Sequence, residues 1–350
     1  MTVIDFHYIE NISKGKKDMK KMIKGIGSLA LAIALAGCTV GGSTATATTG
    51  KDSSDSESYK VGILQLVQHP ALDLATKGFK DVLEEEFGDK VTFNEQNAAG
   101  DTATANTIAS TLVGEKCDLI LANATAALQA VSSATSDIPV LGTSVTDYAA
   151  ALSLKDYDAS KPIGTNVSGT SDGISYSAQV ELFTDLVPDA KKVGIIYCSA
   201  EPNSVVQATE MNKELSKAGF EVKEYSFSDT NDISSVTQTA CQDSDVIYIP
   251  TDNTAASCTE AINNVAEPAG VPIIAAEEGI ASGCGIATLS ISYYELGRQT
   301  GEMAVKILKG EEKVSNMPVE SQTNLTKEYV QSRCDKLGIK VPDTYTAIEE

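Results

Sequence analysis

The chain is 350 residues long, 42% hydrophobic and 5% aromatic, with 27 basic against 48 acidic residues. That length and apolar content suffice for two packed domains that need no disulfide support. A net charge of −21 and the lack of Trp exclude a nucleic-acid partner, because phosphates demand positive charge and single strands demand stacking platforms.

Near the N-terminus, Lys14, Lys16, Lys17, Lys20, Lys21 and Lys24 precede an apolar run over residues 26–36. The run falls short of the roughly 20 residues that a membrane span requires and has the length of a signal-peptide core. Met19 or Met22 would begin a signal of usual length, which makes residues 1–18 an upstream extension. Leu35-Ala36-Gly37-Cys38 resembles the lipobox of bacterial lipoproteins, and the resemblance implies a signal peptide over residues 1–37 and a lipidated Cys38. Gly, Ser, Thr and charged residues then run to residue 58, the composition of an unpacked linker. The body beyond the leader keeps 21 basic and 45 acidic residues and is strongly acidic. Its cysteines at 117, 198, 241, 258, 284 and 334 lack C-x-x-C spacing, so they suggest neither a zinc site nor a thioredoxin-like motif. They read as small buried apolar residues, or in part as disulfide partners among Cys198, Cys241, Cys258 and Cys284, whose connectivity spacing does not give.

From Tyr59 the chain alternates short β-branched runs with amphipathic stretches. YKVGILQLV is followed by ALDLATKGFKDVLEEEFG, with apolar Leu72, Phe79, Leu83 and Phe87 at helical spacing, then by VTFNEQNA, TATANTIASTLVGE, CDLILANA and IPVLGTSV. Such βαβ alternation predicts parallel sheets covered by helices on both faces. The second half repeats the first. Val61-Gly62-Ile63-Leu64 matches Val193-Gly194-Ile195-Ile196, Asp118-Leu119-Ile120-Leu121 matches Asp245-Val246-Ile247-Tyr248, and Ile138-Pro139-Val140 matches Val271-Pro272-Ile273, at offsets of 132, 127 and 133 residues. The expected fold class is therefore α/β, with two Rossmann-like lobes joined by a multi-strand hinge. Lobe one is expected over residues 59–167 plus 290–317, and lobe two over 168–289 plus 318–350.

A hinge between two such lobes makes a cleft, and the ligand crevice of a parallel sheet lies beyond the carboxyl ends of its strands. The residues there are small and polar. The first half offers Gln65, Gln68, His69, Asn123, Thr125, Ser144, Thr146 and Asp147; the second offers Glu201, Asn203, Ser204, Thr251, Asp252, Asn253, Glu277 and Glu278. Thr170 and Ser171 lie on the expected interlobe crossing. Thr125, Asn203, Ser204 and Asn253 stand where helix starts would receive a carboxylate without any Arg or Lys. Asp252, directly after the apolar VIYIP, is the leading partner for an ammonium group, with Glu278 beside it and Asp147 and Asp172 behind. Ser, Thr, Asn and Asp serve equally as helix caps, and both roles stay open for each residue. Leu66, Tyr148, Tyr176, Tyr197 and Tyr293 are candidate walls for a ring.

The ordered stretches HPALD, VTD, NVSGTSD, EPNS, PTDNTAAS and YYELGRQTG, spread over residues 59–329, resemble an extracytoplasmic solute-binding lipoprotein of an ABC importer. In that family the characterised members bind aromatic amino acids such as tryptophan, tyrosine or phenylalanine. The resemblance implies a type I periplasmic-binding-protein fold, no cofactor, and a membrane permease and an ATPase as partners. Tyr148 stands where related chains tend to carry Pro after VTD.

Enzymatic readings fail on their parts. Gly169-Thr170-Ser171-Asp172-Gly173 fits G-x-S-x-G, yet His69, the only histidine beyond the leader, precedes Ser171, the reverse of the order that pattern needs. The sequence carries neither G-x-x-x-x-G-K-[ST] nor a set of nitrogen and sulfur ligands for a metal. The sequence thus predicts a monomeric, lipid-anchored receptor that captures an amino acid, aromatic by the resemblance. The alternatives are a surface lipoprotein acting as adhesin or ligand sensor and, more remotely, a receptor for a sugar or nucleoside.

Overall fold

The computed structural model describes residues 58–348. The signal segment, Cys38 and the linker through residue 57 lie outside the described residues. The first lobe winds through β1 (Tyr59–Gln65), α1 (Pro70–Phe87), β2 (Val91–Asn97), α2 (Thr102–Gly114), β3 (Leu119–Asn123), α3 (Thr125–Ala134), β4 (Val140–Thr143), α4 (Tyr148–Leu152) and β5 (Val167–Ser171). The second winds through α5 (Tyr176–Leu186), β6 (Lys192–Cys198), α6 (Pro202–Lys217), β7 (Glu221–Phe227), α7 (Ile233–Asp243), β8 (Val246–Ile249), α8 (Asn253–Ala256), α9 (Thr259–Ala269), β9 (Ile273–Ala275), α10 (Glu278–Cys284) and β10 (Ala287–Ser290). The chain then returns to lobe one as α11 (Tyr293–Leu308) and β11 (Glu320–Ser321), and ends in lobe two as β12 (Thr326–Tyr329), α12 (Gln331–Leu337) and β13 (Thr346–Ala347).

The duplication read from the offsets is visible in the sheets. One runs β11-β5-β4-β3-β1-β2 and the other β13-β12-β10-β9-β8-β6-β7, so five parallel strands keep the same order in each lobe. Each sheet is apolar on both faces, as a covered parallel sheet must be. Along β3, Leu119 and Leu121 pack toward Phe79, Leu83 and Met303, while Ile120 and Ala122 pack toward Leu112 and Leu128. Along β8, Val246 and Tyr248 face Leu182 and Met211, while Ile247 and Ile249 face Ile233 and Ile280.

Three crossings join the lobes, after β5, after β10 and after β11. They correct two expected boundaries. Val167–Ser171 pairs with β4 and so belongs wholly to lobe one, which moves the first crossing from residue 167 to beyond Ser171. Glu320 and Ser321 pair with Thr170 and Ser171, which moves the last crossing from residue 317 to beyond Ser321.

The return of α11 to lobe one is as expected, and glycine allows its depth. A Cβ at Gly78 of α1 would stand 2.1 Å from the Tyr294 carbonyl oxygen, and one at Gly297 of α11 would stand 2.0 Å from that of Ala75. The backbones meet directly, and the Arg298 guanidinium closes the edge on both oxygens of Glu85 at 3.0 and 2.9 Å. The six described cysteines are free thiols: Cys117, Cys198, Cys284 and Cys334 are buried, and Cys241 and Cys258 half-buried. Among the described residues no helix is long and apolar enough to cross a membrane.

Candidate functional site

The carboxyl ends of the two sheets face each other, and side chains meet across the gap. His69, at the start of α1, shares a hydrogen bond with the side-chain Oδ1 of Asn253 on α8 (3.2 Å). On the other flank the Gln207 amide of α6 donates to the Thr146 hydroxyl after β4 (3.3 Å), and its oxygen accepts the Thr251 N–H (3.1 Å). Gln207 escaped the sequence reading, although it lies one helical turn beyond Asn203 on the same face.

Lobe one presents two unusual turns side by side. Ala124 and Ser144 both have positive φ, 92° and 55°, strained for residues with a Cβ. The Thr143 carbonyl accepts the Ala124 N–H at 3.0 Å and so holds Ser144 next to the start of α3. There α3 has no side-chain cap, and the buried Ser144 hydroxyl has no hydrogen-bond partner. Amides at a helix start and a free hydroxyl are suited to an anion. Thr125, 3% exposed, opens this helix.

At the hinge, Asp172 follows β5 and Tyr293 opens α11. The Tyr293 hydroxyl donates to Asp172 Oδ2 at 2.9 Å and ties two of the crossings together. Asp172 is 4% exposed, and its Oδ1 has no hydrogen-bond partner. Burial raises the pKa of its carboxyl from the ordinary value, against hydrogen bonding from Tyr293 and Thr146. A cation arriving at Oδ1 would satisfy the orphaned oxygen and favour the ionised carboxylate.

Several expected site residues are turned to structural work. Asp252 accepts the N–H groups of Cys198 (2.6 Å) and Ala255 (2.8 Å) and caps α8; burial and the nearby Glu201 carboxylate push it up to about 8. The leading ammonium partner of the sequence reading is thus a cap, and its oxygens serve backbone amides. Asp147 caps α4 in the same way, and Glu277 caps α10, with burial pushing it up to about 7. Gln65 donates to Asp73 Oδ1 (2.7 Å) and accepts the Thr76 hydroxyl (2.6 Å), and Asn123 donates to the Leu72 carbonyl (2.8 Å); these two anchor α1 on the sheet. Thr170 points under α11 to Thr300 (2.8 Å) and not into the cleft, because side chains alternate along a strand. Ser171, its neighbour, does reach the cleft wall, where its hydroxyl donates to the Thr146 carbonyl (3.1 Å).

In lobe two, Glu201 organises the turns. Its oxygens accept from the Asn253 N–H (3.1 Å) and side-chain amide (2.7 Å), the Thr254 N–H (2.8 Å) and hydroxyl (2.7 Å), and the Asn203 amide (3.1 Å). Asn203 and Ser204 bond each other at 3.3 Å beside it. Glu278 is half-buried at the first position of α10.

Two cavities lie between the lobes. One of about 200 Å³ is lined by Leu66, Val67 and Ala126 of lobe one and by Cys198, Glu201 and Asn253 of lobe two, among others. Ala126 stands in the first turn of α3, so the cavity abuts the uncapped amides. The other, of about 240 Å³, lies between Pro70 and Ala71 of lobe one and Glu277 and Glu278 of lobe two, with Tyr293 in its wall. Of the proposed ring walls, Leu66 and Tyr293 line these spaces. Tyr148 is instead buried in lobe one, its hydroxyl on the Thr170 carbonyl (3.1 Å), Tyr197 bonds Glu224 at 3.2 Å on an exposed face, and Tyr176 is half-buried at the start of α5.

Residues 60–348 match the family described as ABC transporter substrate binding protein. A curated "Tyrosine-binding protein" of Clostridioides difficile (strain R20291) is 37% identical over 309 residues, 87% of this chain and 88% of that protein. Two solved structures extend the likeness. An ABC domain in complex with L-Trp from Streptococcus pneumonia is 34% identical with a TM-score of 0.79, covering 83% of this chain and 100% of that one. The ligand-free, open structure of a substrate binding protein with adhesive properties from Clostridium difficile is 38% identical with a TM-score of 0.64, covering 83% and 99%. Shape and sequence rank these two in opposite order.

Proposed function

The chain belongs to the family of ABC transporter substrate-binding proteins, and we propose that it captures an aromatic amino acid between its lobes for delivery to a membrane permease and its ATPase. The observation that carries this reading is a pair of opposite unmet needs just beyond the carboxyl ends of the neighbouring strands β4 and β5. The uncapped amides of α3 and the unpartnered Ser144 hydroxyl await an anion. The unpartnered Oδ1 of buried Asp172 awaits a cation. A zwitterionic α-amino acid carries both charges on groups bonded to the same carbon, and no Arg or Lys is required. Apolar Leu66, Val67 and Ala126 at the cavity beside α3 suit a ring, and the relatives named for tyrosine and solved with L-Trp favour the aromatic class.

Capture works through closure. A ligand held by both lobes stabilises the closed arrangement by the difference in its affinity for closed and open forms, which lets a permease distinguish loaded from empty receptor. Calorimetry on the chain without its leader, unfolded and refolded to strip carried-over ligand, should show saturable binding of tyrosine, tryptophan or phenylalanine. Titrations of all common amino acids without heat of binding would end this assignment.

Delivery at a membrane surface calls for an anchor, and Cys38 is the residue we assign to it, on the strength of the Leu-Ala-Gly-Cys run. The Cys38→Ser chain should leave the membrane fraction for the soluble one. Its retention in membranes would remove lipidation from the account.

A further inference from the structure

His69 and Asn253 are both candidate ligand contacts by sequence, yet the structure joins them to each other. The Asn253 amide is oriented by Glu201: its Nδ2 donates to Glu201 Oε2 at 2.7 Å, and its backbone N–H donates to the same oxygen at 3.1 Å. Asn253 Oδ1 therefore faces lobe one and is the acceptor of the 3.2 Å contact with His69 Nε2. The imidazole must carry its proton on Nε2, and Nδ1 is left bare, buried and without a partner. His69 itself is 6% exposed. This relay of imidazole, amide and carboxylate spans the cleft, and each member is a protein group.

We propose that His69, Asn253 and Glu201 form a latch across the cleft, which sets how readily the lobes close on any ligand and does not read the ligand's identity. The inference rests on the capture reading above. A contact between the lobes adds the same free energy to every closed complex, so it scales all affinities through the closed fraction. Side chains that discriminate between ligands must lie elsewhere in the cleft.

The geometry also makes the latch sensitive to protons. An imidazolium needs a second acceptor at Nδ1, and the closed cleft provides none. In an open cleft the ring meets water, where a histidine titrates near its ordinary value of about 6.5. Closure buries the ring and lowers its pKa. The hydrogen bond to Asn253 and the carboxylates of Glu201 across the cleft and Asp73 on α1 pull the other way, but burial outweighs them. The remaining acidic groups on the facing elements are Asp252 on α8 and Glu277 on α10, each held by backbone amides, and Glu278 beside it; Tyr293 on α11 is committed to Asp172. Because the closed form has the lower pKa, the latch is fully present above the open-state value of about 6.5 and is lost as pH falls from there through the lower closed-state value.

The test uses the mature chain, with L-tyrosine and L-tryptophan as probes. His69→Ala should weaken both affinities by the same factor, roughly 2- to 10-fold, the worth of one neutral hydrogen bond. Adding Asn253→Ala to His69→Ala should cost nothing further, since the contact is already gone. Affinity of the wild type should fall between pH 7.5 and 5.5, whereas His69→Gln, which keeps an N–H donor and cannot titrate, should lose that dependence. Unequal factors for the two probes, or additive effects of the two substitutions, would show His69 touching the ligand and overturn the latch. If neither amino acid binds at all, the capture reading falls, and small-angle scattering of wild type against His69→Ala still decides: identical dimensions at pH 7.5 and 5.5 overturn the latch as well.

Discussion

Asp172→Asn is expected to reduce amino-acid affinity by roughly two orders of magnitude or more, in line with the 2–5 kcal/mol typical of removing one member of a buried charge pair. The substitution preserves shape and leaves the Tyr293 hydroxyl an acceptor in place of Oδ2, so the hinge bond at 2.9 Å survives. It removes the one buried carboxylate oxygen of the first crossing that lacks a partner. Calorimetric titration and thermal melting together check the result: affinity should collapse while the melting temperature stays. An affinity equal to that of the wild type would take the ammonium away from Asp172 and point to Glu278.

Asp252→Ala should act on a different quantity. It strands the N–H groups of Cys198 and Ala255 in a region where Asp252 is 1% exposed, and each buried unsatisfied donor costs about 1–3 kcal/mol. Lobe two should therefore lose about 2–6 kcal/mol of stability, visible as a lower urea midpoint. From sequence alone, with Asp252 as the ammonium partner, the same substitution is expected to weaken binding by a few kcal/mol. A variant with unchanged midpoint and lost affinity would reinstate that earlier role.

These two residues mark the boundary of what the sequence discloses. The strands were legible because parallel sheets demand apolar runs at fixed intervals, and the three matched runs reappear as β1 and β6, β3 and β8, and the connections into β4 and β9. The first crossing was misplaced by a few residues because Val167–Ser171 is a strand of small polar residues, indistinguishable by pattern from the loop that follows. Strand-end polarity singles out residues at the carboxyl ends of both sheets, but Asp and Asn serve caps and ligands with the same atoms. Only the partners separate the roles: two backbone amides on Asp252, and a vacant lone pair on Asp172. Gln207 was hidden for another reason. It sits in mid-helix, where nothing but its one-turn spacing from Asn203 links it to the cleft.

The contact of α11 with α1 also governs how this chain can assemble. Gly297 seats against Ala75, and Met303 and Ala304 complete the core over Phe79 and Leu83, so the earliest-made lobe lacks its covering helix until the later lobe has been synthesised. Neither half is a contiguous stretch of chain, and a nascent polypeptide emerging in order has no finished unit to lock prematurely.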